Sequence, residues 1–110
     1  DAAFAEIFVR SRHRERGLGR SALRRELERK GVERSVADRA VEAIDDEDER
    51  ARATELVLRK LDSAMFAGPQ AARRRLLGML ARRGYGPSVA IPVINEALRG
   101  YLEPLDESEQ

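Results

Sequence analysis

Sliding the chain along itself by 53 residues brings two sets of helix-making residues into register. Leu23 falls on Leu76, Leu27 on Leu80, Lys30-Gly31 on Arg83-Gly84, Ser35-Val36-Ala37 on Ser88-Val89-Ala90, and Ala40-Val41 on Val93-Ile94. Upstream, Phe4 falls on Val57 and Phe8 on Leu61. Core, stop and restart positions all agree, so the chain reads as two copies of one three-helix unit with the second and third helices closely joined. Units this small bury their apolar faces on one another, which gives an elongated, curved body with few long-range contacts. Bodies of that kind bind along a surface or groove.

The clearest copy of the unit's second half lies in residues 14–44. Leu23 and Leu27, with Ala22 beside them, make a narrow apolar stripe on an otherwise charged helix. Lys30 sits in the last turn, where a cation suits the negative end of the helix dipole. Gly31 supplies the left-handed residue that ends the helix, and Val32 folds back as the apolar partner of that cap. Ser35 is expected to restart a helix, with Asp38 three residues on as a capping box. Val36, Ala37, Ala40, Val41 and Ile44 form the buried face of that helix.

Residues 1–12 read as a helix with Phe4, Ile7 and Phe8 on its inner side and Asp1 as N-cap. An arginine run then leads to Gly17-Leu18-Gly19, expected to be a flexible connection. The acidic run 45–49 suits the first turn of a helix, where carboxylates meet the positive dipole end. Leu56, Val57, Leu61, Ala64 and Met65 continue that helix, and Gly68-Pro69 breaks it. Another is expected from near Gln70 through Ala72, Leu76, Leu77 and Leu80 to Arg83, where Gly84 stops it and Tyr85 takes the place of Val32. Pro87-Ser88 announces the last helix, although Pro92 moves its expected start towards Ile91, since proline suits a first turn. That helix carries Val93, Ile94, Ala97, Leu98 and Tyr101 inward. Nothing alternates with the period of a strand. The expected class is all-α, with units at 1–44 and 45–102 and a frayed acidic tail at 103–110.

With 110 residues and no cysteine, disulfides and thiolate zinc sites are excluded and a reducing, cytoplasmic setting is expected. No apolar run approaches the roughly 20 residues that span a bilayer, and the N-terminus does not read as a signal peptide. The net charge of +1 hides a pattern: +3 over 1–44, −3 over 45–62, +5 over 63–100 and −4 over the last ten residues. Alternating signs favour localised basic faces over a uniformly basic protein. Nineteen of the 21 basic residues are arginine, a bias that a GC-rich genome produces unaided but that also suits bidentate contacts with phosphate or carboxylate. Arg20, Arg24 and Arg25 share one flank of their helix. Arg73, Arg74 and Arg75 are expected in the first turn of the matching helix, against its dipole and nearly without acidic neighbours, and Arg82 and Arg83 stand at its end. These eight are the candidate partner- or DNA-binding residues; their alternative is a solvated face with local pairs such as Arg24 with Glu28.

No phosphate loop, Ser–His–Asp set or nucleophile motif is present, so no enzyme and no cofactor is expected. His13 stands without a second metal-ligating neighbour, and the acidic run 45–49 lacks the central glycine of a calcium loop, so no metal is expected. Tyr85 is read as a cap-packing residue rather than a stacking platform.

The opening DAAFAEIFVRSR, then RGLGRSALRRELERKGV, then LARRGYGPSVAIPVINEAL resemble the RecX family of bacterial recombination regulators. The resemblance covers residues 1–101 and rests on order and spacing: an acidic residue before a Phe-Ala helix ending in Val-Arg-Ser-Arg, an arginine-glycine turn, a leucine-spaced helix ending in Lys-Gly, and a later helix ending in Arg-Arg-Gly-Tyr. Family members carry three tandem three-helix repeats; this chain matches the second and third, which departs from the pattern at the N-terminus and points to a first repeat lying before Asp1. The resemblance implies a monomer that binds the RecA recombinase filament on single-stranded DNA. There it would lie in the helical groove and inhibit ATP hydrolysis, strand exchange and co-protease activity in recombination and the SOS response. Some members also bind DNA directly.

Two other readings stand beside it. In one, the hairpin 19–44 binds nucleic acid directly in the manner of a helix-turn-helix, although Asp38 and Glu42 make its second helix a poor surface against phosphate. In the other, the chain is a helical scaffold whose apolar faces pair with itself or with another protein.

Overall fold

The structure is a computed structural model that describes residues 2–103. Among the described residues there are six α-helices and no strand: α1 (Ala2–Arg16), α2 (Arg20–Arg29), α3 (Arg34–Val41), α4 (Asp46–Ala64), α5 (Pro69–Arg82) and α6 (Pro87–Leu102). A 3-10 turn, Met65–Ala67, joins α4 to α5. The body measures 56 × 28 × 21 Å. Two apolar clusters share it. Ala5, Val9, Leu23, Leu27, Ala37, Ala40, Val41 and Ile44 unite α1 to α3, whereas Val57, Leu61, Leu76, Leu80, Ala90, Val93, Ile94 and Leu98 are among those uniting α4 to α6.

The two helix stops of the 53-residue repeat are built alike. Gly31 (φ 90°) and Gly84 (φ 97°) both take the left-handed conformation. Val32 N–H donates to Leu27 C=O at 3.0 Å, and Tyr85 N–H to Leu80 C=O at 2.9 Å. Gly31 N–H donates to Glu28 C=O, and Gly84 N–H to Ala81 C=O, each at 3.0 Å. These bonds satisfy carbonyls that a helix end otherwise leaves open. The acidic run also does what its composition predicts, with the Asp45 carboxylate accepting from Asp48 N–H at 2.8 Å as the N-cap of α4.

Several expectations need correction. Helix α1 runs four residues past its expected end, and its buried face is Ala5, Val9 and His13; Phe4 and Ile7 are 48% and 69% exposed. Phe8 is half-buried, its ring 5.9 Å from that of Phe4 and covered by Arg12 and Lys30 at 4.9 and 5.5 Å. Small residues, not phenylalanines, let α1 lie close to α3. Ser35 does not cap α3: the helix starts one residue earlier behind Glu33, and the Ser35 hydroxyl donates to the Glu33 carboxylate. Helix α5 begins at Pro69, whose missing N–H costs nothing in a first turn. Helix α6 starts at Pro87 and keeps Pro92 inside it; Ser88, whose carbonyl loses its partner, is exposed and so open to solvent. Tyr101 and Leu77 lie at the surface, Tyr101 lining an open groove with Leu58 and Pro92. The N-cap role of Asp1 and the tail beyond Glu103 lie outside the described residues.

The largest correction concerns Gly17-Leu18-Gly19. It is no flexible connection but the joint between the two clusters. Gly19 N–H donates to Arg83 C=O at 2.7 Å, and Ser21 N–H to Gly84 C=O at 3.1 Å. A Cβ on Gly19 would lie 2.6 Å from the Gly84 oxygen, and one on Gly84 would collide with the backbone and Cβ of Ala22. Backbones approach this closely only where side chains are missing. Around the glycines, Tyr85 Oη–H donates to Gly17 C=O at 3.0 Å, Arg83 to Arg16 C=O at 2.8 Å, and Arg52 Nε to His13 C=O at 3.2 Å. The His13 ring is buried, its Nδ1 donating to Leu18 C=O at 2.8 Å. Burial pushes the Tyr85 phenol above its ordinary value, with Glu49 and Glu55 adding to the rise and Arg52 and Arg83 opposing it.

Candidate partner-binding groove

The eight candidate arginines divide into two populations. In the first unit two of the three, Arg20 and Arg24, are spent internally. Arg20 opens α2, and its guanidinium reaches Asp46 and Glu49 at 3.2 Å each and also donates to Ile44 C=O. The Glu49 carboxylate, 4% exposed, also accepts from Arg20 N–H at 3.3 Å. It thereby does for the start of α2 what the side chain of Gly19 cannot. Arg24 pairs with Asp38 of α3 at 2.7 Å rather than with Glu28. The cleft these residues line is charge-balanced, with Arg20, Arg24 and Arg34 facing Asp38, Glu42 and Asp46. Arg25 is exposed on the outer face of α2.

In the second unit the cations are not balanced. Because α5 starts at Pro69, Arg73, Arg74 and Arg75 lie in its second turn, and the expected clash with the dipole does not arise. Arg73 turns to the Asn95 carbonyl of α6, and Arg74 is exposed. Arg75, Arg82 and Arg83 line one groove between α4 and α5, of about 510 Å3, and Lys60 and Ser63 complete its polar rim. Its floor is Ala64, Leu76 and Met79, and no carboxylate lines it. Four cations over an aliphatic floor hold anions well, since each guanidinium offers a planar pair of donors. Lys60 escaped the sequence reading because it lies in a net-acidic stretch, 15 positions from Arg75. Only the antiparallel packing of α4 on α5 brings the two together. Among the described residues no cluster of His, Asp or Glu could hold a metal ion, and no helix is long and apolar enough to cross a membrane.

The family profile described as RecX, second three-helix domain, matches residues 1–41, the stretch that builds α1 to α3. The regulatory protein RecX of Amycolatopsis mediterranei is 50% identical over 101 residues, which are 92% of this chain and 58% of that protein. The chain belongs to the RecX family. The Streptomyces coelicolor regulatory protein RecX is 48% identical over 98 residues, 89% of this chain and 52% of the relative. In Mycolicibacterium vanbaalenii the regulatory protein RecX is 43% identical over 109 residues, 94% of this chain and 59% of the relative. The chain thus spans a little over half the length of the RecX proteins it matches. No solved structure matches it.

Proposed function

We propose that this RecX-family chain binds the RecA filament on single-stranded DNA and restrains it by occupation, not catalysis, with residues 45–102 serving as the third repeat. The observation that supports this reading is the acid-free groove of Lys60, Arg75, Arg82 and Arg83 on an extended body, in contrast to the charge-balanced cleft of Arg20, Arg24 and Arg34. Such a body can lie along a helical assembly and present a single cationic patch at a fixed place. It acts as a monomer, inhibiting ATP hydrolysis and strand exchange by blocking the filament's own groove. Co-sedimentation with recombinase filaments formed on single-stranded DNA tests it, with free recombinase and free DNA as controls and ATP hydrolysis followed in parallel. Retention by the filament above both controls, with slowed hydrolysis, is the expected result. Unchanged hydrolysis with no retention would overturn the proposal.

A further inference from the structure

From the lining of the α4/α5 groove we infer that it recognises an acidic polypeptide segment carrying an aliphatic anchor, so that it engages the protein of the filament and not its DNA strand. This inference rests on the filament-binding reading and narrows it. The rim could serve phosphate or carboxylate equally, and the floor decides between them. Met79, half-buried, with Leu76 and Ala64 (1% and 3% exposed) closing the floor beneath it, forms a narrow aliphatic strip between the cations of α4 and α5. A sugar–phosphate backbone has nothing apolar to place on such a strip, whereas a leucine or valine flanked by carboxylates would bury there. Strand-binding grooves combine cations with aromatic platforms for the bases, and no aromatic residue lines this one. The two aromatics nearest in sequence also lie outside the lining: Phe66 is 97% exposed on the turn after α4, and Tyr85 is buried at the joint.

The geometry also limits the ligand's size. Lys60 and Ser63 lie one helical turn apart on α4, and Arg75, Met79 and Arg82 descend one face of α5 at spacings of four and three. The cations therefore flank a strip about two turns long, roughly 10 Å. That length suits a short acidic helix or strand with a single anchoring residue.

The test uses the whole chain and two probes of equal charge: a synthetic peptide of alternating glutamate pairs and leucines, and an oligodeoxythymidylate. Binding is followed by fluorescence anisotropy at two salt concentrations, on the natural chain, the double variant Arg75→Ala/Arg82→Ala, and the charge-matched double variant Arg29→Ala/Arg39→Ala on the first unit. All four positions are exposed, so the fold should survive each change. The natural chain should hold the peptide more tightly than the oligonucleotide. The groove variant should lose about tenfold or more in peptide affinity, and the first-unit variant much less. An oligonucleotide that binds more tightly than the peptide and is lost in the groove variant would overturn the inference in favour of a strand-binding groove. Binding of neither probe would overturn it as well. Filament retention, measured on the same samples, separates the two readings. Retention without peptide binding removes only the peptide assignment, whereas peptide binding without retention removes the filament as partner and leaves the groove's chemistry standing.

Discussion

Gly31 and Gly84 occupy matching places in the two units and share a left-handed backbone, yet they should differ sharply under mutation. A Cβ on Gly31 would meet nothing within 4 Å, so Gly31→Ala has only the conformational strain to bear, about 1 kcal/mol. Gly84→Ala bears that strain and drives a methyl into Ala22, for a total of about 3 kcal/mol. Urea unfolding of the two variants should give clearly separated midpoints; equal midpoints would mean the joint is looser than its backbone bonds imply. Tyr85 beside it carries a pH signature. Burial raises its folded-state pKa above the unfolded value, so the resulting stability is fully present below the ordinary tyrosine range near 10 and is lost as pH rises from there towards the folded value. Tyr85→Phe should remove that alkaline loss. At neutral pH it should cost about 1 kcal/mol, because Gly17 C=O loses its donor. Stability measured against pH from 8 to 11 on both proteins checks this, and parallel slopes would contradict it.

Helix α2 has no side-chain cap of its own, and its start is held by Glu49 from α4. Arg20→Met should therefore unsettle two elements together: Glu49 would be left buried without its cation, at about 3 kcal/mol. Restoring a partner-free pocket with the double variant Arg20→Met/Glu49→Leu should recover much of the loss. Chemical denaturation of single and double variants would expose a missing recovery, which would mean the pair is not coupled. This pair also shows what the sequence could and could not yield. The helix stops were legible because glycine, the residue before it and the apolar residue after it carry their geometry locally, and they recur 53 residues on. The stripe Leu23, Leu27, Leu76 and Leu80 was legible for the same reason, as was the N-terminal placement of the acidic run. The pairing of Arg20 with Glu49 was not, since 29 residues separate them and many acids stand nearer in sequence. Gly17 and Gly19 misled because glycine signals freedom when read alone, and close approach only when the opposing backbone is known. The groove was half-legible. Arg75, Arg82 and Arg83 stood out as cations without acidic neighbours, but Lys60 and the aliphatic floor arrive from packing.

For the whole molecule, the candidate arginines divide between the scaffold and an open groove. In the first unit Arg20 and Arg24 are consumed in holding α2 to α4 and α3; in the second Lys60, Arg75, Arg82 and Arg83 converge on a groove with no carboxylate. The joint lies between them and is made of backbone bonds, tight glycines and a buried tyrosine hydroxyl, leaving little room for bending. A body of 56 Å held so stiffly fixes the distance from the groove to the far end of the first unit. If the filament is contacted at both places, the affinity of the whole depends on that distance, because the second contact is then made at no further entropic cost. Gly19→Ala isolates this effect. It forces the Gly84 carbonyl, 2.6 Å from the new Cβ, to move, while Lys60, Arg75, Met79 and Arg82 of the groove stay in place on α4 and α5. Peptide binding at the groove should be unchanged, circular dichroism should show the same helix content, and filament retention should fall several-fold. Retention equal to that of the natural chain would show that one unit alone makes the contact, and the stiffness of the joint would then serve folding and not recognition.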